Sequence, residues 1–145
     1  MNKYRNTEKD IHARIYRFII GCFKGVVRKI SKTTENVPII SQLSSSLTSI
    51  GANDQEADAA ATKKDFLAKY TIVRKETKET KYWLSFVKDT GLITTIIIQP
   101  YIEECNEILM IVSKIIENTK RNPAIINPTN PTNKPIRPMN ERITK

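Results

Sequence analysis

The sequence predicts an all-α fold: an antiparallel up-down-up-down four-helix bundle with a disordered Pro-rich C-terminal tail. Three observations carry that expectation. Apolar residues recur three and four apart in four successive segments, the period of a helix with one buried face. Only 4 Gly occur in 145 residues, too few for the many turns of a sandwich or barrel. Helix start signals stand before three of the segments, and a glycine stands where the third should stop.

The first segment spans residues 8–31. Thr7 and Asp10 have capping-box spacing, in which a hydroxyl and a carboxylate satisfy backbone N–H groups at a helix start. Ile11, Ile15, Phe18, Ile19, Cys22, Val26 and Ile30 then make one apolar stripe, and Arg14, Arg17, Lys24, Arg28 and Lys29 take the other side. Gly21 and Gly25 have the spacing that lets a second helix approach, but two small residues four apart arise readily by chance.

The second segment opens at Asn36 as cap, with Pro38 tolerated in the first turn. Leu43, Leu47, Ile50, Ala57 and Ala60 keep the helical period, while Ser44, Ser45, Ser46, Thr48 and Ser49 leave the stripe narrow. Gly51 inside this helix costs about 1 kcal/mol relative to alanine, so something is expected to pack closely against it. The third segment starts at Thr62, again three before an acid, Asp65, and buries Phe66, Tyr70, Val73, Thr77, Thr80, Leu84 and Val87. Gly91 suits a left-handed stop.

The fourth segment begins between Thr95 and Pro100 and runs to Arg121, with Ile102, Cys105, Ile108, Leu109, Val112, Ile115 and Ile116 inward. Ile96, Ile97 and Ile98 have strand-like character, but a lone strand has nothing to pair with in an all-α domain, so they belong to the loop and first helical turn. Residues 1–121 thus form the bundle. Residues 122–145, with Pro123, Pro128, Pro131, Pro135 and Pro138 among Asn, Thr and basic residues, form a flexible basic tail that buries too little apolar surface to offset its ordering entropy.

The composition, 39% hydrophobic and 27% charged, suits a globular helical protein. Cys22 and Cys105 both fall in apolar stripes and read as reduced core residues. A leader peptide or a spanning helix needs a longer apolar run than residues 18–23, which Lys24 ends, so a cytoplasmic location without membrane contact is expected. The net charge of +9 is uneven: +7 over residues 1–34, −4 over 35–61, +4 over 62–92, −1 over 93–121 and +3 over 122–145. Alternating signs attract neighbouring helices and leave basic outer faces for an anionic partner.

Gln42 and Leu43, Ser46, then Ser49, Ile50, Gly51, Ala52 and Asn53 stand in order with Glu56 and Ala57. Lys64, Asp65 and Phe66 follow, then Lys75 and Glu76, and the run Glu79, Thr80, Lys81, Tyr82, Trp83 and Leu84. Over residues 8–121 this set resembles the four-helix-bundle family encoded in intervening sequences of bacterial 23S ribosomal RNA genes. The resemblance implies a homo-oligomer, typically a pentameric barrel of bundles, with no established catalytic activity. It also implies distant kinship with the basic accessory proteins of retroelements, which work with a reverse transcriptase and its RNA. Asp54 departs from the family pattern, which has an apolar residue there.

Ser46, Ser49, Asn53 and Glu56 fall along one helical face, and Glu76 and Glu79 lie on the third helix. They read either as a ligand or RNA pocket or, preferably, as an interhelical hydrogen-bond network that fixes helix register. Trp83 is expected as a core or subunit-interface anchor rather than a base-stacking platform. Catalytic chemistry is not expected: a di-iron bundle needs Glu-x-x-His motifs, and the one histidine, His12, follows Glu8 by four. No Cys or His cluster suggests a metal, and no Gly-rich loop suggests a nucleotide cofactor.

The remaining functional class is binding. Arg14, Arg17, Lys24, Arg28, Lys29 and Lys32 on the first segment are candidates for phosphate contacts, with Lys63, Lys64, Lys69, Arg74, Lys75, Lys78 and Lys81 on the third. The expected partners are further copies of the chain and RNA or a reverse-transcriptase-like protein. The alternative is a self-assembling module with no nucleic-acid binding, its charges merely solvated.

Overall fold

Residues 11–121 are described by the computed structural model, and each apolar stripe there becomes the inner face of a helix: α1 (Ile11–Gly25), α2 (Val37–Asp58), α3 (Lys63–Asp89) and α4 (Thr95–Arg121). Successive helices run antiparallel around one core, and α1 closes the ring against α4. Ile11, Ile15, Leu43, Leu47, Ile50, Phe66, Tyr70, Leu84, Ile98, Ile108, Ile115 and Ile116 are fully buried. Burial of each large side chain contributes about 1.5–3 kcal/mol, which lets the β-branched isoleucines overrule their modest helix propensity. Among the described residues no helix is long and apolar enough to cross a membrane.

The helix ends follow local chemistry. Thr62 Oγ1 accepts the Asp65 backbone N–H at 3.1 Å, so α3 starts where the capping spacing places it. Gly91 has φ +74°, its N–H bonds the Lys88 carbonyl at 3.0 Å, and the Leu92 N–H bonds the Val87 carbonyl at 3.1 Å. That pair of bonds is a Schellman stop, which requires the left-handed residue. α4 opens on the Thr94 carbonyl, which accepts from Ile97 and Ile98, and it tolerates Pro100 where the preceding turn faces solvent. The isoleucine run is therefore helical, with Ile98 buried and Ile96 and Ile97 exposed.

Three expectations need correction. The first helix does not run to Ser31: α1 ends at Gly25, and a 3-10 turn, Val27–Lys29, carries the chain onward while Val26, Val27 and Ile30 stay buried. The Gly21 and Gly25 pair is not a coincidence. The ring of Tyr101 from α4 lies across both, 3.3 Å from where a Cβ on Gly21 would stand and closer still at Gly25, where any side chain would push the ring aside. Asn36 precedes α2 in helical rather than extended geometry and does not cap it through its side chain. Its Nδ2 instead donates to the Ser31 carbonyl at 3.0 Å, fastening the α1–α2 connection. Gly51 does have its close neighbour, Ile19 Cδ1, 3.0 Å from a Cβ position. The Thr7 and Asp10 spacing and the Pro-rich tail lie outside the described residues.

Candidate nucleic-acid interface

The long buried stripe of α3 fixes what its opposite side presents. With Phe66, Tyr70, Val73, Thr77, Thr80, Leu84 and Val87 inward, the outermost positions are Lys64, Ala68, Thr71, Lys75, Lys78 and Tyr82. None of Lys64, Lys75 or Lys78 makes an ion pair among the described residues. Arg74 is half-buried beside this line. Arg17 and Lys24 are exposed on α1, while Arg28, Lys29 and Lys32 are exposed on the 3-10 turn and the connection after it.

Other cations are committed within the bundle. Arg14 Nε donates to Glu104 Oε2 at 2.9 Å, its Nη2 to Glu104 Oε1 at 2.6 Å, and it also reaches Glu107. The bonds from Glu104, outweighing burial, and then those from Glu107 hold this guanidinium firmly charged as an α1–α4 tie. Lys69 pairs with Glu56 at 2.5 Å, and Lys81 Nζ donates to Asn106 Oδ1 at 2.8 Å. Position along the sequence does not distinguish these ties from the exposed cations.

The polar residues on α2 and α3 meet only in part. Thr80 donates to Ser46 Oγ at 2.8 Å, and Ser46 donates to the Leu43 carbonyl at 3.1 Å, a buried interhelical relay. Asn53 turns back on its own helix, to the Ser49 carbonyl and hydroxyl. Glu56 is exposed. Burial, followed by the hydrogen bond and charge of Glu79, raises the Glu76 pKa above the usual carboxylate range, against the pull of Lys75. Trp83 is half-buried, with its indole N–H enclosed and unbonded among the described residues. Tyr82 is 58% exposed and braced edge-on by Trp83, ring centroids 4.9 Å apart, with Phe86 at 6.4 Å.

A second constellation escaped sequence reasoning. Asp54 on α2 is 1% exposed and accepts from Tyr70 Oη at 2.8 Å and from His12 Nδ1 at 2.8 Å, while His12 Nε2 faces Asp58 Oδ1 at 3.1 Å. Ionised carboxylates only accept, so the two aspartates favour the doubly protonated ring. Burial lowers the His12 pKa, but the hydrogen bonds and charges of Asp54 and then Asp58 outweigh it, and the net shift is upward. The departure of Asp54 from the apolar family pattern was the available signal. Its partners, 42 and 16 residues away, were not.

His12 and Asp54 of this cluster also line a groove of ≈ 530 Å³ between α1 and α2, together with Ile15, Tyr16, Ile19, Thr48, Gly51, Ala52 and Gln55. Cys22 and Cys105 are free and buried. Burial pushes the Cys105 thiol up to about 12 and the Cys22 thiol higher, so neither is a nucleophile near neutral pH. Among the described residues no three His, Cys, Asp or Glu side chains converge as a metal site.

A sequence profile of the 23S rRNA-intervening sequence protein family matches residues 8–114. The fold is also similar to the crystal structure of a protein of unknown function from the S23 ribosomal protein family of Bacteroides thetaiotaomicron. That similarity has a TM-score of 0.69 and 27% identity, and covers 76% of this chain and 97% of that one. No curated protein matches.

Proposed function

The chain belongs to the 23S rRNA-intervening sequence protein family, and from that premise we propose that it is a non-catalytic, homo-oligomeric accessory protein that binds RNA, or a protein handling RNA, through basic helix faces. The observation that carries this reading is the outer stripe of α3, where Lys64, Lys75 and Lys78 stand exposed and without ion pairs among the described residues. Cations not consumed by the fold can turn to phosphates without breaking an ion pair, and repetition around an oligomer multiplies weak contacts. Arg17, Lys24, Arg28 and Lys29 extend the positive surface. The pentameric stoichiometry and the reverse-transcriptase-like partner come from family resemblance.

A second reading, self-assembly without RNA, is favoured by the α1–α2 groove. Tyr16, 66% exposed, and Ile20, 37% exposed, lie on α1, and Tyr16 lines the groove itself, an apolar surface suited to another copy of the chain. Light scattering followed by titration with structured RNA at two salt concentrations separates the readings. The proposal expects a stable oligomer whose RNA affinity falls steeply with salt. An oligomer that binds no RNA even at low salt leaves self-assembly alone.

A further inference from the structure

We propose that the outer face of α3 binds single-stranded RNA, with Tyr82 as the platform on which a base stacks and Lys75 and Lys78 as the contacts to the adjoining phosphates. The inference rests on the RNA-binding reading above and specifies the form of the RNA and the group that recognises it.

Its first support is register. Residues 75, 78 and 82 are three and four apart, so the two ammonium groups and the phenol ring share one helical face within about 10 Å along the axis. Ala68 and Thr71 continue that face towards Lys64 with small side chains; exposed Asp65 sits beside Lys64 at its start, and half-buried Glu79 flanks it between Lys78 and Tyr82. A strand laid along it meets cation, cation and ring in succession. Non-sequence-specific grooves for single strands use this combination, because every base offers a π-face while the backbone supplies the charge.

The second support is the way the ring is held. A tyrosine 58% exposed could sweep freely through solvent, but Tyr82 is braced by Trp83 in edge geometry, interplanar angle 76°, with Phe86 behind both. Bracing means that little side-chain entropy remains to be lost when a base stacks. Trp83, half-buried, is the support and not the platform. A duplex keeps its bases stacked internally and would meet only the lysines.

The full-length protein is titrated at low salt with a short unstructured RNA strand and, separately, with an RNA duplex, following anisotropy of the RNA and Trp83 fluorescence. Stacking predicts that Tyr82→Ala weakens the single strand roughly tenfold, that Tyr82→Phe stays near wild type, and that neither alters duplex binding. Trp83 emission should respond to the single strand and not to the duplex. If Lys78→Glu weakens the single strand while Tyr82→Ala does not, stacking is overturned and the electrostatic reading survives. If wild-type protein binds neither RNA, both fall. If Tyr82→Ala dissociates the oligomer, this face joins copies of the chain and the inference is wrong.

Discussion

α1 and α3 carry the two most basic stretches of the chain outside the tail, yet they spend their charge differently. α1 is only 15 residues long; it buries Ile11, Ile15, Phe18 and Cys22 and adds polar pins, His12 to Asp54 and Asp58 on α2 and Arg14 to Glu104 and Glu107 on α4. Its outer side mixes Tyr16 and Ile20 with Arg17 and Lys24. α3 is 27 residues long with seven buried side chains; its Lys69 and Lys81 are tied to Glu56 and Asn106, while Lys64, Lys75 and Lys78 stand exposed without ion pairs among the described residues. Each basic run is therefore divided between ties within the bundle and exposed positions, and only the three-dimensional partners tell the two apart.

The contrast can be broken first at Asp54. Asp54→Ala strips a buried acceptor from His12 and Tyr70 at once and should cost about 3 kcal/mol, read as a fall in unfolding free energy. Hydrogen exchange should show α1 amides losing more protection than those of α3. Equal losses would mean that the pins add nothing specific to α1 beyond its buried stripe.

A smaller effect should appear with pH. The folded-state pKa of His12 is raised, so its contribution is complete below the unfolded value of about 6.5 and is lost as pH rises through the folded value. Denaturation midpoints should therefore decline across that window in the wild type. The decline should vanish in His12→Gln, and its persistence there would assign the dependence to another group.

Much of the fold was legible because period and punctuation are local. Thr62 with Asp65, and Gly91, mark both ends of α3 to the residue. Gly25 was harder to read: the ring of Tyr101 packed against it comes from 76 positions away, and this contact falls where α1 gives way to a 3-10 turn. The lysines of the candidate interface were visible as residue types, but the sequence could not separate Lys78 from Lys69 or Lys81, whose partners sit on α2 and α4. Tyr82 and Trp83 are neighbours in sequence, and the half-buried stripe alone decides which ring faces solvent.

The most direct test reverses charge on one helix at a time. Lys75→Glu with Lys78→Glu on α3 is compared with Arg17→Glu with Lys24→Glu on α1, measuring RNA affinity at low salt alongside oligomer mass. The account predicts a loss of tenfold or more for the α3 pair with assembly intact, and a clearly smaller loss for the α1 pair. Undiminished affinity in the α3 pair would contradict it.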